Sequence, residues 1–206
     1  MIKNIYNFLK KQWNKIKFRI SNKHNDMHLT ALYPINKIKV GIYSYGKLNI
    51  KAYNNKGIIK IGNYCSIADK VLFLVGGEHN YKRISTFPFQ SRIYKQKTID
   101  IPNYDIIIED DVWIGYDCII LSNTHIGKGC VIGARSIVKG EIPSYSIYVG
   151  NKVIKKRFSN DIIEKLNQID FEKITHIFND EYSQYCQKEI TDENVDEIIT
   201  KFKNNM

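Results

Sequence analysis

Residues 108–138 read IEDDVWIGYDCIILSNTHIGKGCVIGARSIV, and an aliphatic side chain falls on every sixth position: Ile108, Ile114, Ile120, Ile126, Ile132 and Val138. Four places after the first five stand Val112, Cys118, Thr124, Cys130 and Ser136, all compact. An earlier copy of the register runs Ile61-Gly62-Asn63-Tyr64-Cys65-Ser66 and then Ile67-Ala68-Asp69-Lys70-Val71-Leu72; a fainter one is Val40-Gly41-Ile42-Tyr43-Ser44-Tyr45. An amphipathic strand meander would show period two, whereas period six marks a stacked repeat. The pattern predicts an all-β solenoid, a left-handed parallel β-helix whose triangular coil spends one hexapeptide on each side. The aliphatic residue fills the interior and the compact one fits where the sides converge, so stacked coils build aliphatic ladders. Gly115, Gly127 and Gly133, which directly follow aliphatic positions, are expected to supply the backbone geometry of the turns. Cys65, Cys118 and Cys130 fall on the inward compact position and read as core filler.

The register is lost from about Gly77 to Asp105, in GEHNYKRISTFPFQSRIYKQKTIDIPNYD. A stretch of that length inside a compact domain is predicted to be a functional excursion. Residues 2–20 put Ile2, Ile5, Tyr6, Leu9, Trp13, Ile16 and Ile20 on one helical face, with five lysines, Arg19 and no acid on the remainder. Such a face suits an anionic membrane surface, or packing against the protein's own coils or a neighbouring subunit. Helices are expected over 160–169, about 170–189 and 191–202, with Thr191 capping the last. The expected organisation is a basic helix and linker over 1–30, a β-helix over 31–158 with its loop at about 77–107, and C-terminal helices over 159–206.

The net charge is +10, yet residues 159–206 hold eleven acidic groups against five lysines, a balance of −6, which leaves +16 for residues 1–158. A body that basic favours anionic ligands: a nucleotide, an acidic or phosphorylated sugar, or a membrane face. No nucleic-acid-binding motif occurs, so nucleic acid is not an expected partner. The four cysteines form no close-set pairs, and no apolar run approaches the roughly 20 residues that span a bilayer. With no cleavable signal pattern, the expected compartment is the cytoplasm.

Three segments carry a family likeness: GGEHNYKRISTFPF (76–89), EDDVWIGYDCIILSNTHIGKGCVIGARSIVKGEIPSYSI (109–147) and KVIKKRF (152–158). Together with the Val-Gly-x-Tyr-x-Tyr-Gly segment at 40–46 they make residues 38–160 resemble the hexapeptide-repeat acyltransferases. The resemblance is to the xenobiotic acetyltransferase branch, which holds type-B chloramphenicol and streptogramin acetyltransferases and many capsule and O-antigen O-acetyltransferases. It implies a homotrimer that uses acetyl-CoA as co-substrate and needs no metal. It also implies that His79 is the general base and that Trp113 lies along the cofactor channel beside the thioester. Gly115, Gly133 and Ala134 would receive the pantetheine arm, and Lys139, Lys152 and Lys155 would meet the phosphates. Tyr43, Tyr45 and Phe87 would line the acceptor side. Relatives carry Gly-Asn-Pro-Ala-Lys where this chain has only Gly150-Asn151-Lys152, which departs from their adenine contact.

Acyl transfer from a thioester to a hydroxyl needs a base and a dry groove. A neutral imidazole can take the hydroxyl proton as oxygen attacks and return it to the departing thiolate. Its second nitrogen must donate to a fixed acceptor, and the sequence does not identify one, Glu78 being merely adjacent. The same fold houses zinc carbonic anhydrases, but three convergent histidines are needed to hold that metal and the coils offer only His79 and His125. His125, His24, His28 and His176 are expected to be bland. The expected function is O-acetylation of a sugar hydroxyl on a cell-surface polysaccharide. The alternatives are acetylation of a streptogramin- or chloramphenicol-type antibiotic, or a non-catalytic hexapeptide scaffold.

Overall fold

Stacked hexapeptides leave most strands only a few residues, and the computed structural model, which describes residues 2–96, 104–174 and 180–203, builds its central stack from such strands. They are β1 (Asp26–Leu29), β2 (Ile38–Val40), β3 (Tyr45–Ala52), β4 (Ile59–Ile61), β5 (Ser66–Ile67), β6 (Leu72–Val75), β7 (Ile106–Ile108), β8 (Trp113–Ile114), β9 (Ile119–Ile126), β10 (Val131–Ile132), β11 (Ile137–Ile142), β12 (Ser146–Val149) and β13 (Lys152–Lys156). All pairings among them are parallel except that of β12 with β13, which closes the stack.

The strands sort into three sides. One stacks β2, β4, β7, the end of β9 and the end of β11. The second stacks β1, the start of β3, β5, β8, β10 and β12. The third stacks the end of β3, β6 and the starts of β9 and β11. Trp113 lies over Val131, one coil and 18 residues later, which is three hexapeptides. Below it, Ser66 lies under Trp113 across 47 residues, so 29 residues leave the helix between these two coils. The six aliphatic positions from Ile108 to Val138 are at most 1% exposed, and the five compact ones at most 2%. The parallel β-helix is the fold that the period predicts, and each buried isoleucine contributes about 1.5–3 kcal/mol.

The compact positions do more than fill space. Cys65 Sγ donates to Glu109 O (3.0 Å), Cys118 Sγ to Gly133 O (3.1 Å) and Cys130 Sγ to Pro143 O (3.1 Å), while Ser136 Oγ donates to Gly133 O (2.6 Å). Each satisfies a carbonyl that the turn leaves without a ladder partner. Burial pushes the Cys65 thiol up to about 12 and raises those of Cys118 and Cys130, so all three stay protonated and unreactive.

The glycines act differently from the sequence expectation. Gly115, Gly127 and Gly133 do not have positive φ; that conformation falls two residues later in each case, at Asp117, Gly129 and Arg135. A Cβ on Gly115 would lie 2.7 Å from Ala134 N, and one on Gly127 2.6 Å from Ser144 N. Glycine is needed there because the next coil's backbone approaches too closely for a side chain.

At the amino end, α1 (Ile2–Ser21) docks through Phe18, which is fully buried beside Met27 in the main core. Asn14 Nδ2 donates to Tyr33 O (2.8 Å), and Arg19 donates to the carbonyls of Asn22, Asn25 and Met27. These residues lie opposite the apolar stripe, so Ile5, Leu9, Trp13, Ile16 and Ile20 remain 51–62% exposed. Packing of that face on the protein's own coils, one of the two expectations for it, does not occur. At the other end α3 (Asn160–Asn167) and α6 (Val195–Lys203) join Tyr145 in a second apolar cluster, flanked by α4 (Phe171–Ile174) and α5 (Asp180–Cys186). Helix α6 starts later than expected. Thr191 does not cap it by side chain; Asn194 Oδ1 instead accepts from Thr191 N (2.9 Å) and Asn194 Nδ2 donates to Glu189 O. Of the helix expected over 170–189, Phe171–Ile174 and Asp180–Cys186 are helical, and residues 175–179 between them, His176 included, lie outside the described residues. A short helix within the excursion, α2 (Phe89–Arg92), stands apart from both clusters.

Candidate active site

The excursion leaves at the corner between the third and first sides, directly after β6. Gly76 and Gly77 have φ of +73° and +97°, and a Cβ on Gly77 would strike the Tyr53 ring at 2.6 Å. Gly76 N donates to Ser122 Oγ (2.7 Å), which itself donates to Leu74 O (3.0 Å), so the exit point is pinned to the next coil. Two residues on stands His79. Its Nδ1 lies 2.7 Å from Thr86 O. A carbonyl can only accept, so Nδ1 carries the proton and Nε2 presents its lone pair.

Thr86 is held by its own loop. Phe87 N donates to Ser85 Oγ (3.1 Å), Phe87 and Phe89 meet edge to face at 4.8 Å around Pro88, and Arg92 N returns to Pro88 O (3.0 Å). The acceptor that fixes the histidine tautomer is therefore a main-chain oxygen of the Ser-Thr-Phe-Pro-Phe segment. Glu78 is not that partner, and its Oε2 is buried without a hydrogen-bond partner.

His79 opens on a cleft of about 510 Å³ walled by Tyr53, Asn54 and Tyr104 from the coils and by Arg83, Phe87 and Arg92 from the excursion. Of the residues expected at the site, the structure brings His79 and Phe87 together. Trp113 begins the second side, around a different corner, and is 57% exposed. Gly115 lies against Ala134, and Gly133 against Tyr148 and Val149, along the same turn of the stack. Lys139, Lys152 and Lys155 are exposed on β11 and β13, beside the exposed apolar side chains of Ile137, Val149, Val153 and Ile154. Tyr43 and Tyr45 line another depression, with His24 and Asp26. Within one chain the expected base and the expected cofactor residues thus occupy different edges of the triangle. Counting hexapeptides would have revealed this, since His79 follows a third side and Trp113 opens a second.

His125 is outward, as expected, but not bland: Nε2 meets Glu109 Oε1 and Nδ1 meets Glu141 Oε2, both at 2.8 Å. Among the described residues no group of three or more His, Cys, Asp or Glu is placed to hold a metal.

A parallel β-helix with an excursion that presents an oriented imidazole defines a class, the hexapeptide-repeat transferases. The description "Bacterial transferase hexapeptide (six repeats)" matches residues 105–140. Over 120 residues the chain is 38% identical to a probable macrolide acetyltransferase of Lysinibacillus sphaericus, covering 54% of this chain and 67% of that protein. It is 36% identical over 115 residues to a chloramphenicol acetyltransferase of Agrobacterium fabrum, covering 52% and 55% respectively. The chain therefore spans just over half the length of that relative. Among solved structures, a hexapeptide-repeat-containing acetyltransferase from Vibrio cholerae shares 24% identity at a TM-score of 0.47, over 60% of this chain and 64% of that one. The chain belongs to the hexapeptide-repeat acetyltransferases, in the xenobiotic acetyltransferase branch.

Proposed function

We propose that the protein is an acetyl-CoA-dependent O-acetyltransferase whose acceptor is a sugar hydroxyl of a cell-surface polysaccharide or its lipid-linked precursor. The observation that carries the reaction is the His79 Nδ1 to Thr86 O hydrogen bond, which leaves Nε2 as a proton acceptor facing a cleft. His79 Nε2 takes the acceptor's hydroxyl proton as the oxygen attacks, then gives it to the leaving sulfur. Acetyl-CoA, when bound, supplies the acetyl group as a thioester. The exposed strip of Trp113, Ile137, Val149, Val153 and Ile154 fits an apolar pantetheine arm, and Lys139, Lys152 and Lys155 fit its phosphates. Because that strip and His79 lie on different edges, the reading requires a second copy of the chain to close the groove. A homotrimer supplies that wall three times over by cyclic symmetry.

Three features favour a glycan acceptor. Residues 1–158 carry +16, which attracts acidic polymers. The excursion mixes basic side chains with Phe87, Phe89 and Tyr94, whose exposed rings can lie against sugars. Helix α1 turns its apolar face to solvent and frames it with cations: Lys10 lies 6.0 Å from the Tyr6 ring and Lys17 5.4 Å from the Trp13 ring. That combination suits the anionic inner face of a membrane, where lipid-linked precursors are made. No helix among the described residues is long and apolar enough to cross a membrane, so the contact would be peripheral. Exchange of the exposed Leu9, Trp13 and Ile16 for serine, which leaves the buried Phe18 in place, should abolish sedimentation with anionic liposomes.

The names of the curated relatives favour a second reading, transfer to an antibiotic. The deciding experiment compares acetyl transfer to capsular or O-antigen oligosaccharides with transfer to chloramphenicol and a group A streptogramin. Turnover of a drug at about 10⁴ M⁻¹s⁻¹ or more, without glycan acetylation, would replace the first reading by the second.

A further inference from the structure

Two arginines, Arg83 and Arg92, line the cleft at His79, and both are solvent-exposed. Neither has an ion pair or a side-chain hydrogen bond among the described residues. Among the described residues the acid lining the same cleft is Glu78, and it forms no ion pair with either arginine, its Oε2 being buried and unpartnered. Two like charges held in one concavity repel, and an anion between them removes that cost. Arginine forks match the paired oxygens of a carboxylate or phosphate and hold them in a defined orientation.

Both arginines belong to the same excursion as His79: Arg83 falls between His79 and Thr86 in the sequence, and Arg92 ends the short helix that follows Pro88. An anion fixed by them would be fixed relative to Nε2. We infer that Arg83 and Arg92 bind an anionic group of the acceptor, a sugar carboxylate or a phosphate, and so select which hydroxyl reaches His79. This rests on the glycan acetyltransferase reading and adds the group by which the glycan is recognised.

Isothermal titration of the full-length protein at low ionic strength tests it with three probes: methyl β-glucuronide, glucose 1-phosphate and methyl β-glucoside. At least one anionic probe should bind, at least tenfold more weakly to Arg83→Gln and Arg92→Gln, and the glucoside should not bind measurably. Binding of the glucuronide alone assigns a carboxylate, and of the phosphate alone a phosphate. Arg83→Lys, which keeps the charge and loses the fork, should fall between. Unchanged melting temperatures will show that the variants fold. Transfer is then measured to an acidic oligosaccharide and to the same material with its carboxylates reduced or its phosphates removed. The account expects KM for the acidic acceptor to rise about tenfold in each variant with kcat within about threefold, the mark of lost binding rather than lost chemistry. No anion binding, or equal binding by the variants, would overturn the inference, as would equal transfer to acidic and neutral glycans; in each case the glycan reading stands if glycan transfer persists. Transfer to a drug and to no glycan would overturn both.

Discussion

The coils at 105–140 and the excursion at 77–104 meet at His79's corner and are built on opposite terms. In the coils an interior position recurs every sixth residue and is sealed, from Ile108 to Val138. Over 77–96 no residue is fully buried, and Ile84, Phe87, Phe89, Ile93 and Tyr94 stand open to solvent; Tyr104, where the chain rejoins the coils, is buried. The coils hold themselves together by apolar ladders; the excursion is held by a few polar bonds at its root and around Thr86. Stability and chemistry are thus assigned to different segments, and each can be perturbed separately.

The largest effect is expected in the coils. Ile120→Ala empties a sealed position and should cost about 2–5 kcal/mol in denaturant unfolding; a loss under about 1 kcal/mol would mean that the ladder is not the source of stability. Next comes the joint between coils and C-terminal helices. Lys128, nine-tenths buried, donates from Nζ to Leu166 O (3.1 Å) and to Ile169 O and lies 4.9 Å from the Phe171 ring. Burial lowers its pKa, yet nearby acids such as Asp110 and Asp111 oppose the shift. Lys128→Met should cost about 1–3 kcal/mol, since it leaves the buried carbonyls unsatisfied, and should speed proteolysis after residue 159 before the coils are cut.

A smaller, pH-dependent effect belongs to His125. Burial opposes its charge, but Glu109 and Glu141 outweigh burial and hold the imidazole above its ordinary value. A raised folded-state pKa stabilises fully below the unfolded value, about 6.5, and the gain disappears as pH rises through the folded value. The pairs are more than a third exposed, so the contribution is under about 1 kcal/mol. Melting of wild type and His125→Gln should therefore differ most near pH 5.5 and converge by pH 8.5; a difference that grows with pH would contradict the assignment. The smallest effect is expected in the excursion, where Ile84→Ser should change stability by less than about 0.5 kcal/mol because Ile84 is fully exposed.

The same division explains what the sequence revealed. A buried position repeated in Ile108, Ile114 and Ile120 leaves a side-chain record, so the coils could be written down from their period. The excursion was legible only as the place where the period stops, and His79 was singled out in it through the likeness of the Ser-Thr-Phe-Pro-Phe loop. The partner of His79 was not legible because a main-chain carbonyl has no side-chain signature. Glycine's role was misassigned because close coil approach and positive φ both select small residues, and the sequence does not separate them. At Thr191 the turn is closed through the main chain instead of the hydroxyl: its N–H donates to Asn194 Oδ1 and its carbonyl accepts from Asn194 N and Val195 N.

The central claim is that Nε2 of His79 carries out the proton transfer in an acetyl-CoA-dependent reaction. It is tested most directly by His79→Ala, assayed for acetyl transfer beside the wild type with melting temperature and oligomeric mass recorded on the same samples. The account predicts turnover lower by at least about 10²-fold, with melting and mass unchanged, because His79 is exposed and packs in neither core. Activity within a few-fold of wild type in the folded variant would contradict it.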